Sequence, residues 1–285
     1  GGMPPCISNR LPNITAIANY INPFSNSMLR ITVITVTYNS EATVAETMDS
    51  ILAQIYPDIE YIVVDGGSTD KTIDIIRQYE PHFQGRMRWI SEPDQGIYDA
   101  MNKGIAMATG EVIGMLNSDD LFIDAEVLTD IASAFEDRQI ACIHGNLYFV
   151  KHDDTNHIVR IWESSPYKPN SFARGWHPAH PTFYVRREYY IRFGGYDTAF
   201  PVSADFELML RFLEKHRLHS LFINRFLVKM RMGGESTGSL RSIYVGNRNV
   251  MKAFHKNGIP VSPLYPVFRL APKVINKIKL KLHLK

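Results

Sequence analysis

Asp119 and Asp120 stand side by side after the apolar run Val112-Ile113-Gly114-Met115-Leu116-Asn117-Ser118. A buried strand ending this way delivers two like charges to its C-terminal edge, where an open sheet leaves a crevice for ligand. Adjacent carboxylates repel unless a positive charge lies near them. A divalent cation answers that need, and oxygen-only ligands suit Mg²⁺ or Mn²⁺. The alternative is a surface turn, or the N-cap of a helix over 124–135.

The elements that must position this pair follow an α/β alternation. Ile31 to Val36 is β-branched almost throughout and reads as a buried parallel strand. Ser40 to Ala53 carries Val44, Met48, Ile51 and Leu52 at helical spacing, with Ser40 expected as N-cap. Tyr61 to Val64 is a second strand ending at Asp65, and Thr69 to Tyr79 a second helix. Arg88 to Ile90 is a short third strand, Ile97 to Ala108 a third helix, and Val112 to Leu116 the fourth strand. Each strand ends in polar residues: Thr37-Tyr38-Asn39, Asp65-Gly66-Gly67-Ser68, Glu92-Pro93-Asp94 and Asp119-Asp120. Four successive strands ending so describe a doubly wound, nucleotide-binding half.

Composition sets the remaining bounds. The chain has 285 residues, 45% of them hydrophobic, enough for one α/β domain with an appendage. Its two cysteines, Cys6 and Cys142, stand far apart, which suggests neither a disulfide framework nor a zinc site and fits a reducing cytoplasm. No stretch approaches the ~20 apolar residues of a membrane span, and no secretory signal is expected. Residues 1–28 read as an N-terminal extension with a short helix around Ile14 to Ile21; Gly1-Gly2 looks like a cloning remnant and Met28 a natural start.

The formal charge of +2 hides an asymmetry. Residues 1–235 hold 21 cationic and 29 acidic residues, a net of −8, while the last 50 carry +10 and no acid. From Val267 to Leu282, Arg269, Lys273, Lys277 and Lys281 form a stripe opposite an apolar face, the layout of a helix on an anionic membrane surface or packed on protein. The expected location is cytoplasmic, with peripheral contact at the inner membrane face through a basic tail over 241–285. A nucleic-acid partner is not expected, for want of any matching motif.

With these residues in place, the chain resembles the family 2 glycosyltransferases of GT-A fold, especially bacterial enzymes of capsule and surface-polysaccharide assembly. The resemblance rests on Val33-Ile34-Thr35-Val36-Thr37-Tyr38-Asn39, Ser50-Ile51-Leu52-Ala53-Gln54, Ile62-Val63-Val64-Asp65-Gly66-Gly67-Ser68-Thr69-Asp70, Asp99-Ala100-Met101-Asn102-Lys103-Gly104, Ala108-Thr109-Gly110-Glu111 and Leu116-Asn117-Ser118-Asp119-Asp120. It implies an α/β fold: a Rossmann-like, mostly parallel sheet flanked by helices, with a donor half over 29–120, an acceptor half over 121–240 and a helical C-terminal tail.

The resemblance also implies roles. Thr37, Tyr38 and Asn39 border the donor, with Tyr38 stacking near the base and Asp65 accepting a hydrogen bond from the base edge. Asp119 faces the ribose or sugar and shares a divalent cation, Mg²⁺ or Mn²⁺, with Asp120. Asp94 and Lys103 are donor contacts by the same likeness, though an N-cap and a solvated lysine read equally well. The donor expected first is a UDP-sugar, then a GDP- or dTDP-sugar.

In the second half, Gly194-Gly195-Tyr196-Asp197 and Pro201 to Arg211 resemble the family stretch carrying the catalytic base, here Asp205, with Glu207 as understudy and acceptor contact. Gly175-Trp176-His177-Pro178-Ala179-His180 resembles an acceptor-site entry, which places His180 and Trp176 at the acceptor.

Two departures matter. Many members carry Asp where Gly66 and Asn117 stand, and some supply a metal-binding His near Arg231 to Thr237, where this chain has none. The glycines there suggest a lid closing through backbone N–H groups and Ser236 or Thr237. The expected activity is inverting transfer of a single sugar to a glycan or lipid-linked acceptor, because a processive Gln-x-x-Arg-Trp signature is absent. A homodimer is compatible with the sequence. A noncatalytic sugar-nucleotide binder and a sugar nucleotidyltransferase are the competing classes; the latter should show a basic, Gly-rich phosphate loop after the first strand.

Overall fold

The computed structural model describes residues 28–233 and 240–265. The N-terminal extension with its Ile14 to Ile21 helix, most of the Gly-rich loop and the Val267 to Leu282 helix lie outside them.

The first half alternates β1 (Ile31–Thr37), α1 (Val44–Leu52), β2 (Ile59–Asp65), α2 (Thr72–Tyr79), β3 (Met87–Ser91), α3 (Ile97–Met107) and β4 (Val112–Met115). Strands β1 and β2 are buried at every position. Parallel strands covered on both faces need apolar residues on both, which is why they read as continuous runs rather than alternations. Successive side chains then feed opposite layers. Val33, Tyr61 and Val63 pack with Val44, Met48, Ile51 and Ile76 of α1 and α2. Ile34, Val36, Ile62 and Val64 pack with Ala100 and Met101 of α3. Each such burial is worth roughly 1.5–3 kcal/mol relative to exposure. Gly104 sets how closely α3 lies on the sheet, because a Cβ there would stand 2.5 Å from Ile34 Cγ2.

The second half adds β5 (Leu121–Phe122), α4 (Val127–Ala134), β6 (Cys142–Val150), β7 (Ile158–Trp162), β8 (Tyr184–Arg186), α5 (Arg187–Phe193), α6 (Ala204–Leu210), a π-helical turn (Arg211–Lys215), β9 (Ser220–Arg231) and α7 (Leu240–Lys256). The nine described strands share one sheet in the order β3-β2-β1-β4-β8-β6-β9-β5, with β7 paired to β6. The β3-β2-β1-β4 side is parallel. Beyond β4 the sheet turns mixed: β8 is antiparallel to β4 and β6, while β9 runs parallel to β6 and antiparallel to β5. No described helix is long and apolar enough to cross a membrane.

The expected elements exist, with shifted starts. Helix α1 begins at Val44 rather than Ser40, and Thr43 stands at its N-cap without a side-chain bond. The Ser40 hydroxyl is instead 2.9 Å from Ser118 Oγ, tying the loop after β1 to the loop after β4. Helix α2 likewise starts at Thr72, because Thr69 N–H is held by Asn39 Oδ1.

Candidate active site

β1 pairs in parallel with β2 on one side and β4 on the other, so the chain leaves β1 in opposite directions across the sheet. Ligand crevices in open α/β sheets form outside the strand C-termini at such a switch point. The polar strand ends converge there.

Asp65 ends β2 fully buried. Its Oδ2 accepts from the Gly67 and Ser68 N–H groups and from Ser91 Oγ, and its Oδ1 from Ser68 Oγ. These four internal bonds make Asp65 the residue that builds the turn and ties β2 to β3. Asn39 is similarly engaged, accepting from Thr69 N–H at 2.8 Å, with positive φ of 48° at its backbone. Thr37 is buried and its hydroxyl has no partner among the described residues. Tyr38 is the opposite case, an aromatic 63% exposed at the sheet edge.

Asp94 lies in the loop between β3 and α3, where its Oδ1 accepts the Gly96 N–H at 2.8 Å. Lys103 braces that loop. Its ammonium donates to the Pro93 carbonyl and pairs with Glu92 at 2.9 Å and Asp99 at 3.6 Å. These partners make it a strut of the β3–α3 loop.

Asp119 and Asp120 occupy the turn after β4. Asp120 is fully buried: Asn117 Nδ2 donates to its Oδ2 at 3.2 Å, while Oδ1 has no hydrogen-bond partner among the described residues. Burial pushes the Asp119 carboxyl above its ordinary range, and burial together with the Asp119 charge pushes Asp120 well above it. Arg231, at the end of β9, donates from Nε to the Asp119 carbonyl at 3.0 Å and pairs with Glu46. Ionised, the two aspartates and Glu46 outweigh Arg231 by two negative charges. An orphaned carboxylate oxygen, hard oxygen donors and that surplus fit a divalent cation. Among the described residues no three His, Cys, Asp or Glu side chains cluster to enclose a metal, so protein ligation would rest on this pair.

Asp205 sits in the first turn of α6 and accepts a hydrogen bond from Tyr98 Oη at 3.0 Å. Tyr98 is in the first turn of α3, just past the C-terminal end of β3, so Asp205 shares the edge that carries Asp94, Asp119 and Asp120. Burial and the Asp205 charge raise the Tyr98 pKa, which keeps its hydroxyl a donor at neutral pH. Tyr98 stacks on Tyr196, whose hydroxyl lies 2.6 Å from His180 Nε2. Burial lowers the His180 pKa against the opposing pull of Asp205, so the imidazole is neutral at pH 7.

The other two residues expected at the acceptor sit in packed surroundings. Glu207 is 1% exposed, bonded to Arg211 Nε at 3.0 Å and to Asn257 Nδ2 at 2.9 Å, and so anchors α6 to the π turn and α7. Trp176 is half-buried with His144 and Phe172 edge-on to its ring and Tyr167 tilted against it.

Tyr98, Tyr196 and Arg231 escaped the sequence reading. Tyr98 offered one signal, a polar aromatic in the first turn of a helix that follows a strand-end loop. Arg231 offered less, a cation at the end of Phe226-Leu227-Val228-Lys229-Met230 just before the Gly-rich loop.

Comparison with known proteins shows the family and the fold. The sequence profile described as "Glycosyl transferase family 2" matches residues 32–193. A "PGL/p-HBAD biosynthesis glycosyltransferase" of Mycobacterium bovis is 26% identical over 242 residues, covering 85% of this chain and 90% of the relative. The structure of S. aureus TarS 1–349 in complex with UDP-GlcNAc superposes with TM-score 0.61 at 17% identity, over 84% of this chain and 69% of that one. Full-length TarS is longer, and this chain spans 41% of it. The mannosyltransferase PcManGT of Pyrobaculum calidifontis, in complex with GDP-Man and Mn²⁺, gives TM-score 0.61 at 21% identity, over 85% of this chain and 69% of that one. At these identities the two structures speak to the fold alone.

Proposed function

The chain belongs to glycosyltransferase family 2, and from that premise we propose an inverting, metal-dependent enzyme that moves one hexosyl group from a nucleotide-sugar donor to a glycan or lipid-linked acceptor of a surface polysaccharide. The observation that carries this reading is the sharing of one sheet edge by two carboxylate stations. One is the Asp119-Asp120 pair with its orphaned oxygen. The other is Asp205, held by Tyr98.

In this reading Asp205 takes the proton from an acceptor hydroxyl as the oxygen attacks the anomeric carbon. The bond from that carbon to the diphosphate breaks on the opposite face, and the nucleoside diphosphate leaves with the bonding pair. A bound divalent cation would offset the charge developing on the diphosphate. Asp119 and Asp120 would hold it; Tyr38 would stack near the base, with Asp94 beside it, and His180 would line the acceptor side. The fixed bond from Tyr98 orients Asp205, so the base needs no reorganisation when the acceptor arrives. Lipid-linked acceptors would give the basic tail a purpose at an anionic membrane face.

The test is a screen of UDP-, GDP- and dTDP-sugars for hydrolysis and transfer, with Mn²⁺ present or chelated. The reading expects turnover of at least one donor that chelation abolishes. Binding of none in either condition contradicts it. A noncatalytic binder would bind a donor without any Asp205-dependent turnover.

A further inference from the structure

Gly66 and Asp94 come from different loops and compete for one small space. A Cβ built on Gly66 would stand 2.4 Å from Asp94 Oδ2 and 3.2 Å from its Cγ, with Tyr38 Cδ2 at 3.5 Å. No real Cβ tolerates the first of these distances, so the absence of a side chain at 66 is what admits the carboxylate. The Asp94 carboxylate thus reaches across from the β3–α3 loop to lie over the backbone of the β2 loop, beside the exposed ring of Tyr38.

The nearby carboxylate of Asp65 is spent on four internal bonds. Asp94 is committed only at Oδ1, to the Gly96 N–H. Its Oδ2 accepts no hydrogen bond among the described residues. The loop that delivers it is held on both sides of Asp94: Glu92 N–H donates to the Asp65 carbonyl and Lys103 holds the Pro93 carbonyl before it, and Gln95 N–H donates to Asp99 Oδ2 after it. A fixed acceptor oxygen next to an exposed aromatic face is the arrangement that reads a flat heterocycle, the ring stacking and the oxygen taking a donor from its edge.

We propose that Gly66 is side-chain-free so that Asp94 can serve as the base-reading residue of the donor site, selecting a nucleobase with an imino N–H at its Watson–Crick edge. The proposal rests on the nucleotide-sugar reading above. Uracil and thymine offer N3–H and guanine N1–H. Cytosine and adenine present a bare ring nitrogen there, and a carboxylate facing that lone pair gains no bond and meets repulsion. The donor class is then a uridine, thymidine or guanosine diphosphate sugar.

The test is calorimetric titration of the full chain with UDP, GDP, CDP and ADP in the presence of Mn²⁺, with thermal melting to check each variant's fold. The unaltered protein should bind UDP or GDP at least about tenfold tighter than CDP and ADP, because an unmet donor or acceptor in a built site is heavily penalised. Asp94→Asn should reduce that preference below about threefold. Gly66→Asp should weaken binding about tenfold or more, by clash and like charge. The double variant Gly66→Asp/Asp94→Gly returns one carboxylate to the same space from the other loop and should restore the preference; it also decides the matter if Gly66→Asp alone unfolds. Full preference in Asp94→Asn, wild-type affinity in a folded Gly66→Asp, or a folded double variant without preference would each overturn the inference. Equal binding of all four nucleotides by the unaltered protein overturns it while leaving the nucleotide-sugar reading standing. Binding of none removes both.

Discussion

The two halves of the sheet are built on different logic. From β1 to β4 the strands are parallel, β1, β2 and β4 are buried at every position, and each strand is followed at once by a polar loop. Beyond β4 the strands are mixed in direction, and β6 and β9 pair across about 80 residues of chain with two breaks in register. The first half carries its candidate site residues in loops that a local stretch of sequence specifies. The second half carries the proposed base on an element, α6, whose position depends on partners far away in sequence. Substitutions in the first half should therefore alter what binds, and substitutions around α6 should alter whether the molecule holds together and turns over.

The largest expected effect on stability lies in the second half. Glu207→Ala leaves the Arg211 guanidinium, 11% exposed, without its carboxylate. Removal of one partner of a buried pair costs about 3–5 kcal/mol. Chemical denaturation should show that loss with donor affinity nearly unchanged; a loss under about 1 kcal/mol would mean that α6 is not anchored through this pair.

An acid-sensitive counterpart sits in the first half. Burial pushes the Glu60 pKa up, but bonds from Thr32, Thr109 and Arg88 prevail and hold it at about 2, against 4.5 for a free glutamate. A depressed carboxylate contributes its stability above its unfolded pKa and loses it as pH falls toward the folded one. About 3 kcal/mol should vanish between pH 4.5 and 2, since each unit is worth roughly 1.4 kcal/mol. In Glu60→Gln the same pH titration of unfolding should be flatter, and an unchanged slope contradicts this assignment.

The difference between the halves also explains what the sequence revealed. The four polar strand ends were legible because a doubly buried parallel strand is an unbroken apolar run, and whatever follows it must face the crevice. Tyr38, Asp94, Asp119 and Asp120 were placed at that edge in this way, and Asp205 was singled out through family motifs. The engagement of Asp65 was partly hidden: its bonds from Gly67 and Ser68 are local to the turn, but Ser91 reaches it only when β3 pairs with β2. The same holds for Lys103, whose ammonium is met by the loop ten residues upstream. In the second half Glu207 looked like any first-turn acid, since nothing local says that Asn257 of the chain past α7 will close over it. Ser40 read as a helix cap until the loop after β4 came within reach of its hydroxyl.

Smaller effects sharpen the contrast. Tyr98→Phe removes one hydrogen bond to a charged acceptor, worth about 1.5 kcal/mol, and should lower kcat roughly tenfold while leaving donor KM unchanged. An effect on KM alone would make Tyr98 a binding residue instead. Lys103→Ala breaks partly exposed ion pairs worth at most about 1 kcal/mol. It should weaken nucleotide binding less than fivefold, by loosening the Asp94 loop, and a complete loss would make Lys103 a direct donor contact.

The central claim is that the edge of the first half binds a nucleotide sugar and the carboxylate of α6 performs the proton transfer. Asp205→Asn, assayed side by side for nucleotide-sugar affinity and for transfer, tests it most directly. The account predicts affinity within about twofold of the unaltered protein and transfer reduced by roughly 10²–10⁴. Transfer at the original rate with intact binding would contradict it.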